Sequence, residues 1–408
     1  MTHTFFHTRN FYNTRIEPWI GKPVIKVLTG MRRVGKSCVL RQVESLLHAH
    51  GVPKKRTLFV DKEDLAFDAI RDHRHLAAWI KKQAPTGRSA LLVDEVQEIE
   101  GWERVVNSCL KEGRFDIYVT GSNARMLSSD LATLLSGRYV EIPIFPLSLP
   151  EFLQFRAAPT GRARELFSEY LRYGGLPALQ QLSDDEHSRY QYLSSVFDTI
   201  VLKDVITRHE VRNVPLFQNI CRFAFDNTGQ LFSAKRVADY LKSQRLAVTV
   251  DTVQRYVGFL CDAFVFHRVR RYDLRGKRHL EINEKYYPGD IGLRHAVLGY
   301  REDAINGMLE TLVHQELVRR GYAVSIGKLG TREIDFVADR GKDRLYVQVA
   351  YLMPTAETRE REFRVLEEVP DNHPKLVLSL DPVPVEHPGG IRHIHLVDFL
   401  MESTESLA

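Results

Sequence analysis

The chain has only four cysteines in 408 residues, Cys38, Cys109, Cys221 and Cys261. They lie far apart and form no C-x-x-C pair, which argues against a disulfide framework or a zinc site and fits a reducing compartment. No apolar run approaches the ~20 residues that a membrane helix requires. The start, Met-Thr-His-Thr-Phe-Phe, lacks a basic stretch followed by an apolar core, so no signal peptide is expected and the expected location is cytoplasmic. There is no internal repeat and no low-complexity segment. A large excess of one charge is lacking too, with 57 Lys and Arg against 52 Asp and Glu. The net charge of +5, with a pI near 8.9, is a mild bias toward polyanionic partners. The remainder is ordinary globular composition, 44% apolar and 27% charged, in a chain long enough for two or three domains and a large core.

One stretch names a ligand class. Gly30-Met-Arg-Arg-Val-Gly35-Lys36-Ser37 is a complete G-x-x-x-x-G-K-[ST] phosphate loop. It follows Val24-Ile-Lys-Val-Leu-Thr29, a β-branched run that reads as a buried strand. It precedes Ser37–Leu47, whose apolar residues recur at helical spacing. Glycines let the backbone wrap phosphates, and the N–H groups at the helix start point at the anion. Gly30, Arg33, Val34, Gly35, Lys36, Ser37 and Cys38 are therefore the expected nucleotide contacts. Lys36 would reach the β- and γ-phosphates, and Ser37 would bind Mg²⁺. A glycine turn before a helix is the alternative reading of the loop alone.

About sixty residues later Ser89-Ala-Leu-Leu-Val-Asp94-Glu95 is an apolar strand ending in two carboxylates. This is the Walker B pattern, with Asp94 expected to hold the metal and Glu95 to act as general base on water. A third strand, Phe115–Thr120, ends in Gly121-Ser122-Asn123. A polar residue at its tip would orient the water, with Asn123 the first choice and Ser122 the second. A short helix is expected over 124–136. Arg138 follows it, just before a strand at Tyr139–Phe145, where an arginine could stabilise transition-state charge on a neighbouring subunit's nucleotide. The alternative for Arg138 is a cation favoured near a helix C-terminus by the dipole. Arg125 is a weaker candidate.

The rest of the chain changes character. Residues 148–212 read as mostly helical and could form a lid on the nucleotide core. Between 213 and 302, helices at Phe217–Asn227, Ser233–Lys242 and Thr252–Asp262 precede two β-rich segments, Phe264–Tyr272 and Arg278–Tyr287. Three helices and a hairpin describe a winged helix. The stretch His267–His279 carries six Lys and Arg against one Asp. Arg268, Arg270, Arg271, Arg275, Lys277 and Arg278 there could reach phosphates, as could Arg255 on the third helix. That helix offers only Gln254 and Arg255 for base edges, which weakens sequence-specific reading. Protein contact is the competing role for such a module.

From 303 on, a helix with Glu310 and Glu316, a strand with Asp335 and a following strand through Gln348 and Ala350 resemble the restriction-endonuclease-like core. Its D…(D/E)-x-K site binds Mg²⁺ with acids and uses a lysine on water. Here Gln348 stands at the second acid and Ala350 at the lysine, so cleavage is not expected.

Together these stretches resemble a family of bacterial and archaeal AAA+-type P-loop ATPases with an uncharacterised conserved C-terminal part. The resemblance also rests on Val119-Thr-Gly-Ser-Asn123, Leu135-Ser-Gly-Arg-Tyr139, Gly174-Gly-Leu-Pro177, Lys285-Tyr-Tyr…Asp290-Ile-Gly-Leu-Arg294, Glu333–Val337 and Tyr346–Tyr351. It implies an α/β chain: a P-loop AAA+-like parallel sheet (1–147) with a helical lid (148–212), then a winged-helix domain (213–302) and a restriction-endonuclease-like α/β domain (303–408). It further implies ATP and Mg²⁺, a homo-oligomer with a ring plausible, and no membrane. The expected activity is ATP hydrolysis coupled to binding or remodelling DNA, duplex or branched, without sequence specificity. An ATP-driven signalling or defence switch acting on a protein partner is the alternative. An ATP-dependent nuclease is a third reading, disfavoured by Gln348 and Ala350.

Overall fold

Apolar runs without polar alternation belong in strands covered on both faces, and this is how the first sheet is built. A computed structural model describes residues 7–124, 135, 137–182, 185–301, 304–385, 387 and 389–402. They fall into two compact units. One holds the described residues up to Ile144 with Asp262–Phe264; the other holds Phe145–Cys261 and the described residues from Val265 on.

In the first unit β1 (Ile25–Thr29) and β3 (Ser89–Asp94) are buried at every position. With β2 (Thr57–Asp61), β4 (Phe115–Gly121) and β5 (Tyr139–Pro143) they make a parallel sheet of order β2-β3-β4-β1-β5. The helices His73–Gln83 and Trp102–Glu112 pack Leu76, Ile80, Val105 and Val106 against Val27, Leu91, Val93, Ile117 and Val119. Each such buried aliphatic side chain contributes roughly 1.5–3 kcal/mol. Because β1 sits beside β4, and β4 beside β3, the loops leaving these three strands meet at one edge, where parallel sheets bind ligands. The helix expected over 124–136, with Arg125, lies outside the described residues apart from its ends.

The second unit has a seven-stranded mixed sheet of order β12-β11-β10-β9-β8-β6-β7. Its strands are β6 (Phe266–Asp273), β7 (Arg278–Pro288), β8 (Ala323–Leu329), β9 (Arg332–Arg340), β10 (Asp343–Val349), β11 (Lys375–Ser379) and β12 (Arg392–His395). The three helices expected before the hairpin are present as Val214–Asp226, Ala234–Ser243 and Val250–Asp262. The hairpin itself departs from a free wing. Arg271–Asp273 of β6 pair in parallel with Ile326–Lys328 of β8, so it continues the C-terminal sheet. The segment expected as a lid also joins this unit. Phe152, Phe167 and Leu171 from the helices Leu149–Phe155 and Ala163–Tyr173 share a core with Leu309, Val313, Phe336 and Val347. Among the described residues no helix is long and apolar enough to cross a membrane.

Two stretches without an evident role in the sequence meet in one joint. Asp290 caps the helix Ile291–Leu298, and its carboxylate accepts from the N–H groups of Gly292 and Gly175, both at 2.8 Å. Gly174 has φ of +76°, and a Cβ there would stand 2.1 Å from Asp290 Oδ1, so only glycine fits. Burial holds the Asp290 carboxyl up at about 6 against the pull of the N–H groups of Gly175, Gly292 and Leu293. Arg294, also buried, donates from Nε to the Phe225 carbonyl at 3.2 Å.

Asp290→Ala strands these buried donors and is expected to cost at least about 2 kcal/mol. All three tryptophans (Trp19, Trp79 and Trp102) lie in the first unit. In urea the circular-dichroism transition should therefore move to lower denaturant while the tryptophan-fluorescence transition stays in place.

Candidate functional site

The loop Gly30–Lys36 leaves β1 and enters the helix Lys36–Ala49. Its conformation explains its glycines. Gly30 has φ of +147° and Gly35 of +98°, and a Cβ on Gly30 would meet the Ile144 carbonyl oxygen at 2.2 Å. Arg33, with φ of +69°, is exposed at the turn. Val34 is buried, and Cys38 is exposed in the first turn of the helix. Lys36, 3% exposed, donates to the Met31 carbonyl at 3.2 Å and stands 3.4 Å from Glu95 Oε1.

The end of β3 is equally specific. The Asp94 carboxylate is bonded by the hydroxyls of Ser37 and Thr120. Burial raises its carboxyl above the usual range, with Glu95 and Asp61 adding to that and the two hydroxyls opposing it. Thr120 Oγ1 also accepts from the Glu95 N–H at 2.9 Å, so a single β4 hydroxyl ties both acids to the neighbouring strand. Glu95 adopts φ of +48°. This left-handed conformation turns its side chain toward Lys36 and Ser122, whose hydroxyl donates to Glu95 Oε2 at 3.2 Å. Burial pushes the Glu95 carboxyl up, but the Lys36 ammonium, the Gln97 amide and Arg32 outweigh it, and the net shift is downward. The downward shift favours the ionised carboxylate.

The structure therefore brings together Lys36, Ser37, Asp94 and Glu95. Of the two residues named to orient water, Ser122 bonds Glu95, and Asn123 is buried one residue further on. A hydroxyl bonded to a carboxylate is an oxygen pair suited to Mg²⁺, so Ser37 and Asp94 fit that ion. Arg138 lies elsewhere. Its carbonyl accepts from Ile25 N at 3.0 Å, at the start of β1, and its side chain is exposed. The length of β1 separates it from the phosphate loop of its own chain.

Two contributors were not evident from sequence. Thr120 reads as one more β-branched strand residue. Arg9, 3% exposed, donates from Nη1 to the Val34 carbonyl at 3.1 Å. Its backbone N–H and carbonyl both pair with the Gln42 amide, at 2.9 and 3.0 Å. The segment before the sheet thus braces the loop, a contact that no local pattern announces.

In the second unit Arg268, Arg270, Arg275, Lys277 and Arg278 are exposed on or beside the hairpin. Glu284 stands 3.9 Å from Arg268 and 3.7 Å from Arg270 and offsets part of their charge. Arg271 is half-buried, with Nε lacking a partner. Arg255 lines a cavity of about 310 Å³ with His209, Arg212 and Phe259. Gln348 donates to Glu362 at 3.0 Å, and Ala350 is buried. A lysine from β7, Lys285, stands among the acids.

Comparison with known proteins agrees with this geometry. Residues 22–153 match the AAA domain family, and residues 164–304 match a domain of unknown function, DUF8612. An uncharacterized protein of Haemophilus influenzae is 37% identical over 382 residues, spanning 93% of this chain and 94% of its own length. An uncharacterized protein of Methanocaldococcus jannaschii is 28% identical over 361 residues, 84% of this chain and 78% of its own. Among solved structures, a Walker-type ATPase of Pyrococcus abyssi superposes with a TM-score of 0.50 at 14% identity, covering 72% of this chain and 96% of that one. At that identity the likeness concerns the fold alone. The chain belongs to the family of the Haemophilus protein, and its amino-terminal unit is an AAA domain with a P-loop ATPase fold.

Proposed function

We propose that this chain binds ATP with Mg²⁺, hydrolyses it, and couples hydrolysis to binding or remodelling DNA. One observation carries the catalytic reading: the Lys36 ammonium, the ionised Glu95 and the Ser37–Asp94 pair converge at the end of β1 and β3. The loop backbone and Lys36 hold the phosphates. Ser37 and Asp94 would hold Mg²⁺, which would neutralise charge on the phosphates. Glu95 takes the proton of the attacking water, and Ser122, or Asn123 beside it, holds the carboxylate and water in line. Thr120 positions both acids. Arg138 acts on the nucleotide of a second copy, so the working form is a homo-oligomer.

The DNA reading rests on the five exposed basic side chains at the hairpin, a surface suited to phosphates rather than bases. Steady-state hydrolysis, alone and with single-stranded, duplex and branched DNA at two salt concentrations, tests it. Stimulation by one DNA form that disappears at high salt supports the coupling. Hydrolysis indifferent to every DNA moves the reading to a switch acting on a protein partner.

Glu95→Gln should bind ATP yet hydrolyse it about a hundred-fold more slowly or worse. Thr120→Val should bind ATP and lose turnover without losing the fold, as read by nucleotide titration beside phosphate release. Normal turnover in Glu95→Gln would remove it as the base. Arg138→Ala and Lys36→Ala should each be inactive and should partly restore activity when mixed. Co-assembled mutants that fail to complement argue against action in trans. Replacing Arg268, Arg270, Lys277 and Arg278 with Gln should weaken DNA binding. The slope of log affinity against log salt should flatten by about one for each phosphate no longer neutralised, with basal ATP hydrolysis unchanged.

A further inference from the structure

Lys285, on β7, is 2% exposed. Its Nζ faces three carboxylates: Glu333 Oε1 at 2.8 Å, Glu310 Oε2 at 3.2 Å and Asp335 Oδ1 at 3.8 Å. Glu310 and Asp335 are each 8% exposed. Two further donors reach these acids. The Tyr287 hydroxyl donates to Glu310 at 2.7 Å and the Val349 N–H to Asp335 at 2.8 Å. Gln348 accepts from the Asp335 N–H at 3.3 Å and donates to Glu362. Buried carboxylates require a cation, a proton or both. The Lys285 ammonium is that cation, hydrogen-bonded to Glu310 and Glu333 and within ion-pair reach of Asp335. Burial and mutual repulsion raise the Glu310 and Asp335 carboxyls above the usual range, and the Lys285 ammonium opposes that rise. Among the described residues no three Asp, Glu, His or Cys side chains stand close enough together to share a metal ion. These acids are spread around an ammonium.

We propose that Lys285 is the built-in cation of the C-terminal unit. It supplies the positive charge that Glu310, Glu333 and Asp335 need and holds them spread around its ammonium, so the unit folds without metal, and only with the lysine gone can the acids close on a divalent ion. The same contact fastens the hairpin. Backbone pairing ties β6 to β8 over only Arg271–Asp273, whereas Lys285 and Tyr287 carry β7 onto the helix Ile305–Arg319 and onto β9. Both functions follow from one side chain entering the acid cluster from a strand that the nuclease-like pattern does not include. A lysine with its donors committed to these acids, and itself buried, is not poised to activate water.

The test is Mn²⁺ binding, by electron paramagnetic resonance of the nucleotide-free full chain, beside circular-dichroism melting in EDTA and in Mn²⁺. The wild type should melt at one temperature in both. Lys285→Gln should melt lower in EDTA, recover in Mn²⁺ and hold one more Mn²⁺ per chain. Asp335→Asn in the same chain should remove that ion. If Lys285→Gln does not fold, Lys285→Gln with Glu310→Gln should, because one charge of each sign is then gone. A wild-type Mn²⁺ site abolished by Asp335→Asn overturns the proposal. So does a Lys285→Gln protein that gains no Mn²⁺, or a double variant that folds no better than the single one.

Discussion

The parallel pairing of β1 with β4, and of β4 with β3, is the constraint on which the amino-terminal unit depends. Parallel register points all three carboxyl ends the same way, so a loop, two acids and a hydroxyl far apart in the chain arrive at one edge. Thr120 makes the arrangement stiff. Its hydroxyl accepts from the Glu95 backbone and donates to the Asp94 side chain, so a slip of β4 against β3 would break both bonds. The left-handed turn at Glu95 costs of order 1 kcal/mol. It is offset by the contacts of its carboxylate with Lys36, Gln97 and Ser122. Strain at this residue is therefore part of how its carboxylate is aimed.

The carboxyl-terminal unit uses polar fasteners. Asp290 gathers the Gly174–Gly175 turn and a helix start around one carboxylate. Lys285 gathers the hairpin, a helix and β9 around one ammonium. Each is buried, and removing one partner of such a group costs more than the interaction itself is worth, roughly 3–5 kcal/mol for an ion pair. The gain is in specifying register and position. An apolar edge would let a strand slide by two residues with little penalty, whereas a lysine that must meet three acids fixes the hairpin's place.

Much of this was legible from spacing. The phosphate loop and Asp94–Glu95 carry local chemistry, and their strands are short enough that apolar runs and glycines mark them. The three helices before the hairpin were legible for the same reason: Ser233 caps one of them, and apolar residues recur at i+3 and i+4. Arg9, Thr120 and Lys285 were not legible, because each acts across a contact between residues distant in sequence. The hairpin's edge-on pairing with β8 escaped as well. Alternation within β6 states which face is buried and says nothing about which strand lies alongside.

The sequence by itself determined the ligand class and the AAA core, because phosphate binding needs glycine, lysine and hydroxyl at fixed offsets along one turn. It also shows an amide at Gln348 and a methyl at Ala350, which cannot do the work of an acid and an ammonium. Only the tertiary structure decided that Ser122 reaches Glu95, that Arg138 stands a strand's length from its own phosphate loop, and that a lysine from β7 fills the acid cluster. These are statements about distance between strands. Strand order and register are set by how all the buried faces pack at once, which no local stretch of the chain encodes.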